Sequence, residues 1–107
     1  MSQSPAVWRT QRTLAPDHPS LAGHFPGRPV FPGVVLLAEV LEAALSIVPL
    51  AGRLGAAPRI DNVKFLSPIV PCGAPIEVSV HFSARANGVD FELRHGDVLA
   101  VRGQLSC

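Results

Sequence analysis

Gly23-His24-Phe25-Pro26-Gly27-Arg28-Pro29-Val30-Phe31-Pro32-Gly33-Val34-Val35-Leu36-Leu37-Ala38-Glu39-Val40-Leu41-Glu42 is the stretch around which the chain is organised. Its first half is a stiff loop, because Pro26, Pro29 and Pro32 fix their own φ angles and bias the residue before each away from helix. His24 is the only group in this loop that titrates near neutral pH. From Gly33 to Val48 there is no proline and almost every residue is apolar, which predicts one buried helix of about four turns. The polar positions of that helix, Glu39, Glu42 and Ser46, fall at i, i+3 and i+7 and make one narrow stripe. A helix apolar over the rest of its circumference must be wrapped rather than leaned on, and a curved sheet does that. Pro49 and Gly52 end it, and Gly52 to Pro58 reads as a small-residue loop.

Working outward, Val7 to Leu14 reads as a strand, broken by Asp17-His18-Pro19-Ser20. Arg59 to Phe65 is a second strand with imperfect alternation. Ser67-Pro68 to Pro75 is a stiff connection. Ile76 to Ser83 alternates cleanly, with Ile76, Val78, Val80 and Phe82 on one face. Asn87-Gly88 is a hairpin signal. Val89, Phe91 and Leu93 then alternate with Asp90, Glu92 and Arg94, His95-Gly96-Asp97 turns the chain, and Leu99, Val101 and Leu105 mark the apolar side of a last strand. The C-terminal half is therefore an antiparallel meander with one apolar face. The fold class is α+β, a curved antiparallel sheet wrapped around one long central helix, in a single domain over residues 1–107.

A chain of 107 residues buries about two-thirds of its extended surface, enough for one core. It is 48% hydrophobic and 16% charged, against about 25% charged in an average domain. So few charges on a small domain point to a surface that meets another subunit, most simply in a two-fold homodimer. The net charge of +1 argues for no nucleic-acid partner and no strongly anionic membrane. No stretch approaches the roughly 18 apolar residues that span a bilayer. No secretory signal is apparent at the start. Cys72 and Cys107 lack metal spacing; a disulfide is one reading and two free thiols in a reducing cytosol the other, which makes the expected location cytoplasmic.

The run Gly23-His24-Phe25-Pro26-Gly27-Arg28-Pro29-Val30-Phe31-Pro32-Gly33-Val34 resembles the 3-hydroxyacyl-acyl-carrier-protein dehydratases of fatty-acid synthesis. A second run, Asn62-Val63-Lys64-Phe65-Leu66-Ser67-Pro68-Ile69-Val70-Pro71, resembles the same family's strand-then-proline segment. The short length is closer to the compact relatives associated with aryl-polyene pigments. The resemblance implies the hot-dog fold and a two-fold dimer whose active-site tunnel lies at the subunit interface. It implies His24 of one subunit facing a helix acid of the other, the Gly33 amide binding the thioester oxygen, and an acyl-carrier protein bearing an acyl thioester as partner. No cofactor is expected. One position departs from the pattern: the family's Glu or Asp, fourteen residues after the histidine, is Ala38 here, and Glu39 follows one residue late. One residue is about 100° of helix rotation. Glu39 reads first as the solvated side of the helix and second as a displaced catalytic acid.

The chemistry such residues serve is removal of a proton from C2 and a hydroxyl from C3 of a 3-hydroxyacyl thioester. A neutral imidazole, with a reference pKa of about 6.5, takes the proton. A backbone N–H at a helix start suits the charge that grows on the thioester oxygen. Phe25, Phe31, Val63 and Phe65 are either the lining of an acyl tunnel or plain core. His18 with Asp17 and His24 matches no metal-site spacing, so no metal is expected. His81 and His95 read as solvated. Arg28, Arg53, Arg59 and Lys64 are either contacts for an acidic carrier protein or scattered surface charge. A hot-dog thioesterase and a non-catalytic acyl-binding partner, the latter favoured by Ala38, are the competing functions.

Overall fold

The strands form where alternation is cleanest. The computed structural model describes residues 7–15 and 30–107. It runs β1 (Val7–Leu14), α1 (Gly33–Ser46), α2 (Val48–Leu54), β2 (Arg59–Phe65), β3 (Ile76–Arg85), β4 (Gly88–His95) and β5 (Val98–Ser106). The strands make one five-stranded sheet in the order β1-β3-β4-β5-β2, with every pairing antiparallel. Ile76, Val78, Val80 and Phe82 of β3 and Val89, Phe91 and Leu93 of β4 are all buried, as period-2 patterning requires. They build the core with Val101 and Leu105 of β5 and with Leu36, Val40, Ala43 and Ala44 of α1. α1 lies across this inner face, touching β1, β3 and β4.

Three local expectations change. First, α1 ends at Ser46, two residues before Val48, and a second helix, α2, follows it. Ile47 is extended (φ −95°, ψ 108°) and donates its N–H to the Ala44 carbonyl, and α2 departs from α1 at 105°. Pro49 lies in the first turn of α2, where a missing N–H costs nothing because the first amides of a helix have no acceptor within it. Leu50 and Leu54, one turn apart, are fully buried and pull the chain around this corner. Second, β5 carries a bulge: Leu93 pairs with Val101 but Arg94 pairs with Leu99, so Ala100 is an extra residue. Leu99 slips off the apolar face while Ala100 and Val101 are both buried, the usual consequence of a one-residue insertion. Third, the β3–β4 hairpin closes through Ala86-Asn87, since Arg85 pairs with Gly88. Gly88 is the first residue of β4, and its φ is not positive.

The sheet covers only one side of α1. Val34, Ala38 and Leu45 share an exposed stripe at i, i+4 and i+11 on the side of the helix away from the sheet. One face of a single sheet reaches only one side of a helix, and the remaining apolar side is left to solvent or to another subunit. Among the described residues no single helix is long and apolar enough to cross a membrane.

Candidate active site

Two proline-bearing segments meet at the start of α1. Pro32 caps the helix in an extended conformation (φ −59°, ψ 146°), and its carbonyl accepts from Val35 N (3.0 Å) and Leu36 N (3.3 Å). Gly33 is therefore the first helical residue, and its N–H has no acceptor within the helix. The second segment follows β2. Leu66 N and Ser67 N both donate to the carbonyl of Ala100, at 2.8 and 3.3 Å, so the β5 bulge holds this turn in place. Phe31 N donates to Ile69 O at 3.0 Å and ties the two segments together.

Between them lies a cavity of about 380 Å³, lined by Phe31, Gly33, Leu36, Phe65, Leu66, Ser67 and Pro68. At Gly33 the Phe65 ring comes close to the helix start: a Cβ there would stand 2.7 Å from two of its carbons, so a side chain at this position would make the ring shift. Phe31 closes the inner end at 3% exposure, while Phe65 stays 55% exposed at the mouth. The geometry thus brings together Gly33, Phe31 and Phe65, three of the residues expected at the site. It adds Leu36, Leu66, Ser67 and Pro68, the last three from the run that resembles the family's strand-then-proline segment. Val63 packs toward Gly103 rather than lining the cavity. His24 and Phe25, with Asp17, His18 and Arg28, lie outside the described residues. Among the described residues no cluster of His, Cys, Asp or Glu is arranged to hold a metal.

Glu39 is neither at the cavity nor free in solvent. Arg12, on the inner face of β1, reaches its Oε2 through Nε at 2.7 Å and Glu42 Oε2 through Nη2 at 3.3 Å. The Glu39 side chain is 16% exposed and that of Glu42 64%. Within the polar stripe of α1, Glu39 thus faces β1, while Glu42 and Ser46 are exposed. Arg12 was legible in principle: Trp8, Thr10, Arg12 and Leu14 are the inward positions of β1, and an arginine among them calls for an acceptor. Arg12→Ala is expected to lower the unfolding free energy by about 1.5–3 kcal/mol, the range for a hydrogen bond to a charged group. The loss falls mostly on the Glu39 contact, since exposed pairs contribute little. A shift in the denaturation midpoint at unchanged m-value checks it.

Ala38 stands about 100° around the helix from Glu39 and is exposed beside Val34, which is 74% exposed. Arg53, a candidate partner contact, instead donates to the carbonyls of Arg85 (2.6 Å) and Gly88 (3.3 Å) and braces the β3–β4 hairpin. His81 is half-buried on the outer sheet face, and His95 is exposed. Cys72 and Cys107 are free and exposed.

A helix laid on a five-stranded antiparallel sheet, with an apolar cavity at its first amide, defines a hot-dog protein of the dehydratase kind. Solved structures share the fold. The dehydratase heterocomplex ApeI:P from Xenorhabdus doucetiae superposes with a TM-score of 0.71 over 97% of both chains at 22% identity. A pyran synthase domain from module nine of the sorangicin pathway gives 0.72 at 24% identity over 99% of this chain and 36% of that one. Among curated proteins, the 3-hydroxyacyl-[acyl-carrier-protein] dehydratase FabZ of Tolumonas auensis is 34% identical over 113 residues, covering all of this chain and 72% of its own. FabZ of a Roseiflexus strain is 33% identical over 101 residues, 91% of this chain and 68% of its own. The profile of the ApeI dehydratase family matches residues 1–104. The chain belongs to the ApeI-like dehydratase family.

Proposed function

We propose that this protein binds a 3-hydroxyacyl thioester presented by an acyl-carrier protein and removes water from it, at a site completed by a second subunit. The observation that carries the reading is Gly33, the first helical residue, which lines an apolar cavity and follows the His24 segment closely in the sequence. The acyl chain enters the cavity between Phe31 and Phe65, and the thioester oxygen takes the Gly33 N–H. His24 removes the C2 proton while negative charge grows on that oxygen. Collapse of the enolate expels the C3 hydroxyl, which leaves as water with the proton His24 has just acquired. Glu39 has no step here, because Arg12 engages it. The exposed stripe of Val34, Ala38 and Leu45, together with Leu66 and Val70, supports an oligomer, since monomers rarely leave so many apolar residues open.

Ala38 favours a second reading, in which the chain is a non-catalytic acyl-binding partner of an active homologue. A solved relative, ApeI:P, is a heterocomplex. Incubation of the protein with a 3-hydroxyacyl carrier-protein thioester, followed by product analysis and mass in solution, separates the possibilities. An enoyl thioester and a dimeric or larger mass are expected. Free acid would instead make the protein a thioesterase, and absence of turnover would leave the partner reading standing. Ala38→Glu is expected to raise turnover by about 10²-fold, the lower end of general-acid effects, because the new carboxyl arrives without neighbours that tune it.

A further inference from the structure

The cavity at the start of α1 has one polar side chain on its wall. Phe31, Leu36, Phe65, Leu66 and Pro68 are apolar and Gly33 has no side chain, which leaves the Ser67 hydroxyl. Among the described residues nothing meets that hydroxyl. The hydrogen bond made at Ser67 is through its amide, to Ala100 O at 3.3 Å.

The backbone around Ser67 is held on both sides. Its N–H and that of Leu66 share the Ala100 carbonyl, at the extra residue of β5. Pro68 follows and biases Ser67 toward extended backbone. One residue further, Ile69 is 1% exposed and accepts the Phe31 N–H at 3.0 Å. Rotation about χ1 is the freedom left to Ser67, and its hydroxyl can both donate and accept. Ser67 is half-buried and Phe65 at the mouth is largely exposed, so water can reach this hydroxyl. An acyl chain entering the cavity displaces that water. A chain with no polar group at the right place then leaves the hydroxyl unpaired in apolar surroundings, which weakens its binding.

Given the acyl reading of the cavity, on which this rests, we propose that Ser67 holds the C3 hydroxyl of the 3-hydroxyacyl chain and makes the cavity selective for it over saturated and enoyl chains. Only C1, C2 and C3 separate the thioester oxygen from the C3 oxygen. A chain whose thioester oxygen sits at Gly33 therefore carries its hydroxyl within the same cavity, and Gly33 and Ser67 both line it. The helix offers no competing group: position 38 is alanine, and Glu39 is engaged by Arg12. Ser67 moves no proton here; it accepts from or donates to the hydroxyl and fixes where that group leaves. A site that hydrogen-bonds a substrate hydroxyl rejects the analogue without it, because its own polar group is left unpaired. The enoyl product has lost that hydroxyl, so the contact that holds the substrate does not hold the product.

The test is a titration of the intact, ¹⁵N-labelled protein with pantetheine amides of one chain length: hexanoyl, hexenoyl with the double bond at C2, and each enantiomer of 3-hydroxyhexanoyl. Nitrogen in place of the thioester sulfur leaves C2 too weakly acidic to react, so binding is read without turnover. Shifts of the Gly33 and Leu36 amides place each ligand in the cavity. The better-bound 3-hydroxy enantiomer is expected to bind about tenfold more tightly than the hexanoyl and hexenoyl amides, the worth of one good neutral hydrogen bond. Ser67→Ala is expected to bring the three to within about twofold of one another by weakening the 3-hydroxy ligand alone. The substitution leaves both backbone ties in place, so the variant should fold, and unchanged affinity for the hexanoyl amide checks that it does. Equal affinities in the unsubstituted protein, a preference that survives Ser67→Ala, or a loss shared by all the ligands overturns the role of Ser67, while shifts at Gly33 and Leu36 keep the acyl cavity. Ligands that move neither amide remove the acyl reading itself, and the role of Ser67 with it.

Discussion

His24→Ala is expected to reduce dehydration turnover by about 10²- to 10⁴-fold, the contribution of a positioned general base. In the proposed mechanism the Gly33 amide serves the thioester oxygen and cannot remove a proton, and the wall of the cavity is apolar apart from Ser67. Ser67 has its amide tied to Ala100 and a hydroxyl too weakly basic to replace imidazole. With Ala38 in place of an acid, the proposed mechanism has the imidazole also return the proton to the departing hydroxyl, so its loss would remove both proton transfers at once. Following hydration of an enoyl thioester in reverse, at saturating and at low substrate, reads the effect on kcat and on kcat/KM separately. A fall in kcat with little change in KM is the pattern of a group used only in the transition state. Activity within a few-fold of the unsubstituted protein would remove His24 from the mechanism.

Gly88→Ala is expected to destabilise the fold by about 3 kcal/mol, the upper end of overpacking in a core. A Cβ at this position falls on the carbonyl oxygen of Leu105 and stands 2.8 Å from both Leu105 C and Ser106 Cα. All three atoms are backbone of β5, so relief requires the strand to move rather than a side chain to turn. β5 is the central partner of β4 and β2, and its displacement disturbs both ladders and the burial of Leu105. In a domain of this size that loss is a large part of a total of about 5–15 kcal/mol and corresponds to a fall of roughly 10–20 °C in Tm. Gly52→Ala is the control. Nothing lies within 4 Å of a Cβ there, and alanine inside α2 stabilises by about 0.5–1 kcal/mol. Thermal melts of the two variants should move in opposite directions. Equal midpoints would mean that β4 and β5 do not approach as closely as described.

How much of the molecule could be read from its residues is clearest element by element. β1 and β2 fall at the bounds expected, and the alternation of β3 and β4 names their buried residues apart from Gly88. α1 begins at Gly33 because Pro32 closes the loop before it. The site was legible in part. Gly33, Phe31 and Phe65 do converge, but Arg12 was passed over, and Glu39 is not on a solvated side of the helix because Arg12 reaches it from another element.

Periodicity and proline placement are local properties, and they sufficed for the type of each element, the inward face of the meander and the entry to the helix. Helix termination at Ile47, the slip of Leu99, the use of Gly88 and the Arg12–Glu39 contact are not local. Each is settled by a group distant along the chain: Leu50 and Leu54 seeking the core, Leu105 pressing on β4, a guanidinium on β1 crossing to α1. Residues that far apart have no fixed spacing to read, and packing alone chooses between conformations that each segment would tolerate equally well in isolation.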